Sequence, residues 1–134
     1  MSAGPVLRIA AAIILDEDGR MLLVRKRGTQ VFMQPGGKLE PGESAAECLV
    51  RELTEELGLA VDAASLDWVG RFDAPAANEP GHHVDCDVFR VSRIGVVTVA
   101  AEIEEARWFS RESLSTVPLA PLTAMNLDVF FAPS

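Results

Sequence analysis

The chain has no tyrosine, only two cysteines and only two histidines. Without tyrosine, any platform for stacking a flat ligand falls to Phe32, Trp68, Phe72 or Phe89, and aromatics in small domains mostly serve the core. Cys48 and Cys86 form no C-x-x-C pair and no zinc-like cluster, which leaves two reduced thiols as the expectation. His82 and His83 are adjacent, so on a strand they point to opposite faces and cannot share a metal. Positive charge is scarce: 12 Lys and Arg against 20 Asp and Glu give a net charge of −8. Such a chain is a poor binder of bulk nucleic acid, although a small polyanion remains open if metal ions screen it. No apolar run approaches the roughly 20 residues that cross a bilayer. Val6 to Leu15 is apolar but carries Arg8 and follows no basic segment, unlike a signal peptide. Neither a membrane nor a stable nucleic-acid partner is therefore expected, and the expected location is the cytoplasm. Repeats, linkers and low-complexity segments are absent too, so 134 residues, 49% of them apolar, read as one domain over 1–134.

What is present is a series of short strands around one strong helix. Val6 to Leu15 reads as a buried strand. Asp16-Glu17-Asp18-Gly19 turns the chain, and Met21 to Arg25 completes an expected hairpin. Val31 to Gln34 is a short strand stopped by Pro35, and Gly36-Gly37 reads as a loop able to bring its backbone close to a ligand. Leu66 to Asp73, His83 to Val91, Ile94 to Ala100 and Ala106 to Phe109 are further expected strands, with Glu102 to Glu105 as an acidic loop. In His83 to Val91 the apolar Val84, Cys86 and Val88 alternate with His83, Asp85 and Asp87. That polar face fits an edge strand or a pocket wall. Ser110 is placed to cap a brief helix, and Pro121 to Phe130 reads as a final helix with Leu122, Met125, Val129 and Phe130 on one side. The order implies an α+β fold with helices covering a mixed sheet.

Gly37 to Leu59 holds the densest chemistry. Ser44 and Glu47 have capping-box spacing, and Gly58 suits the residue just past a helix end. At about 100° per residue, Ala46, Leu49, Val50, Leu53 and Leu57 form one apolar stripe of about 100°. Glu52, Glu55 and Glu56 flank that stripe on one side. Glu52 and Glu56 are like-charged i, i+4 neighbours near the negative end of the helix dipole, each effect costing up to about 1 kcal/mol. A divalent cation reverses both signs, and oxygen-only ligands argue for Mg²⁺ or Mn²⁺ over zinc. Arg51 has Glu47, Glu55 and Glu43 within reach. On charge alone, a solvated acidic face competes with this metal site. Arg25-Lys26-Arg27 is the one dense basic spot, either a solvated strand end or a grip on phosphate oxygens.

These residues resemble the Nudix signature, G-x(5)-E-x(7)-R-E-U-x-E-E-x-G-U with U a bulky aliphatic. Gly37, Glu43, Arg51, Glu52, Leu53, Glu55, Glu56, Gly58 and Leu59 fill every fixed position. Pro35 to Lys38 and Trp108-Phe109 resemble the flanks of MutT-like members. The resemblance implies an α/β/α sandwich and Mg²⁺-dependent cleavage of a nucleoside diphosphate linked to another group. It implies Glu52 and Glu56 as principal metal ligands, with Glu55, the Gly37 carbonyl and Glu102 assisting. It implies Glu43 and Arg51 as a pair orienting the ligands, and Glu52 or Glu55 as the proton acceptor within the motif. Arg25, Arg27 and Lys38 are the expected substrate contacts.

The match stops at substrate choice. Where MutT enzymes acting on oxidised guanine nucleotides carry an asparagine after a Pro-x-Ala run, this chain has Pro121 after Pro118-Leu119-Ala120. Proline offers no side-chain donor or acceptor, which argues against that specificity, and Asn126 lies further on. The absence of an added N-terminal sheet favours a (d)NTP pyrophosphohydrolase over an ADP-ribose, nucleotide-sugar or dinucleoside polyphosphate hydrolase. A non-catalytic nucleotide sensor is the other class, disfavoured by the intact glutamates. Homodimers are frequent among such relatives, so that state stays open.

Overall fold

The computed structural model describes residues 5–92 and 94–132. The strands are β1 (Val6–Ile13), β2 (Met21–Lys26), β3 (Phe32–Met33), β4 (Gly36–Lys38), β5 (Asp67–Pro75), β6 (His83–Arg90) and β7 (Ile103–Phe109). The helices are α1 (Ala45–Leu57), α2 (Pro121–Met125) and α3 (Leu127–Phe130), with single 3-10 turns at Ala63–Ser65 and Glu112–Thr116. One sheet runs β4-β1-β6-β5 and the other β3-β2-β7. The first is mixed, because β1 pairs in parallel with β6 and antiparallel with β4.

Alternation along β2 divides the interior into two cores. Leu22 and Val24 join Ala10, Ala12 and Phe89 beneath Leu49, Leu53 and Leu57 of α1. Met21 and Leu23 join Ile13, Val88, Phe109 and Phe130 on the other side, with Leu122 of α2. Helix, sheet and helix thus form three layers, the α+β sandwich expected. The three α1 leucines are fully buried, and burial of each contributes about 1.5–3 kcal/mol. No helix among the described residues is long and apolar enough to cross a membrane.

Several local expectations change. The first two strands do not form a hairpin beyond one bridge, Leu15 to Met21. One edge of β1 carries β6 along its whole length, and the other carries β4 opposite Ile9 to Ala11. β2 therefore diverges into the second sheet and leaves a crease between β1–β4 and β2–β3. Gly36-Gly37 is a strand rather than a loop, and Gly36 requires its missing side chain. Its φ is +151°, and a Cβ there would lie 2.0 Å from the Ala10 carbonyl oxygen.

β6 lies between β1 and β5 and is not an edge strand. Its aspartates are consumed within the sheet: Asp85 accepts two bonds from Arg71 at 2.8 Å, and Asp87 accepts from Trp68 Nε1 at 3.0 Å and from Arg8 at 3.3 Å. The expected strand at 94–100 is irregular. Its Thr98 and Ala100 amides donate instead to the Leu57 and Glu56 carbonyls, closing the open end of α1. The acidic loop at 102–105 is mostly β7, which begins at Ile103. The final helix breaks at Asn126, whose φ of −128° is not helical. Leu122 and Phe130 consequently stay buried while Met125 and Val129 are exposed.

Candidate active site

Local sequence builds the helix that carries the acids. The Ser44 hydroxyl accepts from the Glu47 amide at 3.1 Å, and the Glu47 carboxylate accepts from the Ser44 amide at 2.9 Å. Gly58 closes the other end at φ +66°, donating to the Thr54 and Leu53 carbonyls. Between these caps the leucines clamp one face to the sheet and hold Glu52 and Glu56 at the crease.

Arg51 is the hub. Its guanidinium grips Glu43 with two bonds, at 2.8 and 2.9 Å, and donates to Glu52 Oε1 at 2.8 Å. It also meets Glu40 at 2.9 Å, Glu55 at 3.5 Å and the Lys38 carbonyl at 3.2 Å. Arg51 thus chooses Glu43 and Glu55 of its candidate partners, because Glu47 is held in the cap. Its two bonds hold the Glu43 carboxyl down at about 2, with help from the Glu40 amide.

Glu52 and Glu56 go the other way. Burial raises the Glu52 pKa despite Arg51. Burial first, then the Glu52 charge, push Glu56 up to about 8, and it is 2% exposed. Among the described residues, Glu56 Oε1 accepts from the Gly36 amide alone, at 3.3 Å. A Cβ on Gly37 would sit 2.4 Å from the Glu52 carboxyl carbon, so this glycine is the space in which Glu52 lies. The Gly37 carbonyl accepts the Cys48 thiol at 3.4 Å. Glu55 is half exposed, and Glu102 stands on the rim with Lys26 Nζ at 3.5 Å.

Among the described residues, no three His, Cys, Asp or Glu side chains already stand as a metal cage. The donors nevertheless fit a hard divalent cation. Two carboxylates one helical turn apart have lost most of their water, a backbone carbonyl adjoins them, and the nearby Cys48 sulfur is a thiol that burial keeps protonated and so a poor ligand. A 2+ charge there offsets the burial that raises both carboxyls.

Glu52 and Glu102 line a cleft of about 420 Å³ in the crease. Gly36, Gly37, Lys26 and Lys38 also line it, and Lys38 pairs with Glu79 at 2.9 Å. Much of the remaining lining is aliphatic, with Leu7, Ile9, Met33, Val84 and Leu122. A model of the NUDIX domain matches residues 5–130. The chain belongs to that family and is a Nudix hydrolase. It is 32% identical over 132 residues to the CTP pyrophosphohydrolase of Escherichia coli, covering 95% of this chain and 93% of that protein. It is 33% identical over 105 residues to the NAD-capped RNA hydrolase NudC of Pseudomonas aeruginosa, covering 76% of this chain and 35% of that one. The chain spans less than half the length of that relative and of a Bacillus subtilis relative. The crystal structure of the MutT protein of Methanosarcina mazei superposes with a TM-score of 0.74 at 26% identity, covering 97% and 94% of the two chains.

Within this Nudix fold the expected residues divide. Gly37, Glu43, Arg51, Glu52, Glu55 and Glu56 come together around one end of the crease, and Lys38 and Glu102 reach its rim. Arg25 and Arg27 do not line the cleft. Arg25 pairs with Glu105 at 3.2 Å and donates to the Thr29 carbonyl, and Arg27 faces Glu104 at 3.7 Å. The middle residue, Lys26, turns inward because it shares the face of Leu22 and Val24. The aromatic candidates are elsewhere as well: Phe32 and Phe89 are core, Phe72 stacks edge-on against Phe130, and Trp68 is exposed on β5. Asn126 donates to the Leu122 carbonyl at 2.8 Å and does not line the cleft. Sequence reading missed Gln34 and Thr123, both cleft residues from segments with no motif.

Proposed function

We propose that this chain hydrolyses a nucleoside or deoxynucleoside triphosphate to the monophosphate and pyrophosphate, using Mg²⁺ or Mn²⁺. The observation that carries this reading is the mostly buried Glu52 carboxylate in the lining of a partly aliphatic cleft, with the buried Glu56 one helical turn further along α1. A nucleotide likewise joins a charged phosphate chain to a flat, less polar base. Glu52 and Glu56, assisted by Glu55, Glu102 and the Gly37 carbonyl, would hold the cation. A divalent cation bound there neutralises phosphate oxygens and lowers the pKa of a bound water. Arg51 keeps Glu52 aimed at the cleft through the 2.8 Å bond, with Glu43 as its anchor. Glu52, with its raised pKa and place in the cleft, is the better proton acceptor, since Glu55 is half exposed and does not line the cleft. Lys26 and Lys38 are the cations available to the outer phosphates. Support for a triphosphate substrate also comes from the near full-length likeness to the E. coli protein named for CTP.

The test is a panel of ribo- and deoxynucleoside triphosphates, ADP-ribose, a nucleotide sugar, a dinucleoside polyphosphate and NAD⁺ with Mg²⁺, followed by chromatography of the products. Monophosphate and pyrophosphate in equal amounts from a triphosphate are expected. Turnover confined to the other compounds, or binding without turnover of any, overturns the reading.

A further inference from the structure

The lining of the cleft contains a buried polar pair, Gln34 on the segment between β3 and β4 and Thr123 on α2. Gln34 is 5% exposed and Thr123 is fully enclosed. The Thr123 hydroxyl donates to Gln34 Oε1 across 89 residues of sequence. Gln34 Nε2 donates to the Ala12 carbonyl at 3.4 Å and to the Met21 sulfur at 3.3 Å. Turning the amide over would set its oxygen against the Ala12 carbonyl oxygen, so the backbone of β1 dictates its orientation.

The amide has two donor hydrogens and two acceptor lone pairs. Both hydrogens and one lone pair are engaged inside the protein. The capacity left for a ligand is a single lone pair on Oε1, so Gln34 can accept and cannot donate. Thr123 has no exposed surface and acts only by holding Gln34. We infer that Gln34, positioned by Thr123, is the base-reading residue of this cleft, and that the preferred substrate carries a base with an exocyclic amino group. A keto group at the same place would set oxygen against oxygen in a desolvated pocket. The inference rests on the nucleotide reading above and adds the class of base.

The matched pairs CTP and UTP, and ATP and ITP, differ in amino against keto at the ring position in question. In the ring size that the cleft accepts, the amino member should be favoured about tenfold or more in kcat/KM, the worth of one net hydrogen bond. Thr123→Val should lower that ratio, and the double variant Gln34→Leu/Thr123→Val should bring it near one. Removing both partners together leaves no orphaned polar group, so the double variant should fold. A ratio near one in the unaltered protein, or one that survives the double variant, overturns the assignment. Calorimetric binding of CMP against UMP and AMP against IMP without metal separates it from the reaction itself. No turnover, with amino-selective binding that the double variant abolishes, fails the reaction and leaves the inference standing. Turnover without amino preference does the reverse, and neither turnover nor binding overturns both.

Discussion

Two parts of the region around the cleft are built in opposite ways. The carboxylate helix and its supports come from Gly37 to Glu56, where the caps set the spacing and Arg51 ties Glu43 and Glu52 together. The less polar lining is assembled from Leu7, Met33, Gln34, Val84, Leu122 and Thr123, on five separate elements or connections. One part is a local structure that the sheet supports, and the other exists only when the sheets and α2 have met. On the proposed reading, the first part holds the cation and the second chooses the base.

The largest expected effect tests the local part. Glu56→Gln removes a carboxylate whose charge a divalent cation would need, and several kcal/mol of charge stabilisation corresponds to about 10²–10³-fold in kcat. The same variant should change the pH dependence of metal-free stability. Glu56 has its pKa raised from the ordinary 4.5 to about 8 in the fold. Between those values the folded state binds more protons than the unfolded one, so stability falls as pH rises. Thermal melts in EDTA should show that loss completing above about pH 8, and Glu56→Gln should flatten it; an unchanged profile would contradict the burial argument.

Gly37→Ala comes next. Its methyl group would occupy the position of the Glu52 carboxylate. Activity should drop by about 10–100-fold, the scale of losing a ligand's orientation, while the helix signal in circular dichroism persists. Full activity would show that Glu52 works from another position. Arg51→Lys should lose about tenfold through the bidentate hold on Glu43, since an ammonium cannot reproduce the fork. Its melting temperature should fall at neutral pH and converge with the parent's in acid. The Glu43 contribution is present above 4.5 and disappears as pH falls through about 2.

The smallest effects separate cleft from surface within three residues. Lys26→Ala should raise KM severalfold, whereas Arg25→Ala and Arg27→Ala should alter it by less than about twofold, as expected for ion pairs that do not line the cleft. Equal effects from all three would restore the whole basic triplet as a phosphate grip.

Legibility followed the same division. The α1 caps, its buried leucines and the Arg51–Glu43 pair were readable because every partner lies within about two helical turns or one short loop. The hairpin expectation for β1 and β2 failed because β4 competes for the edge of β1, a contact that pattern alone does not display. Ile94 to Ala100 looked like a strand by composition, but its amides serve the end of α1 instead. The run Pro121 to Phe130 looked like one helix, but the Asn126 break sends Met125 and Val129 to solvent.

The sequence by itself determined the capped helix, the spacing of Glu52, Glu55 and Glu56, the Nudix signature and the general α+β order, since each depends on neighbours in the chain. Only the tertiary structure decided which cation of Arg25-Lys26-Arg27 faces the cleft, why Gly36 and Gly37 must lack side chains, and that Gln34 meets Thr123. Those outcomes depend on how the two sheets diverge and where α2 lands, and they bring together groups whose separation in sequence carries no signal of their meeting.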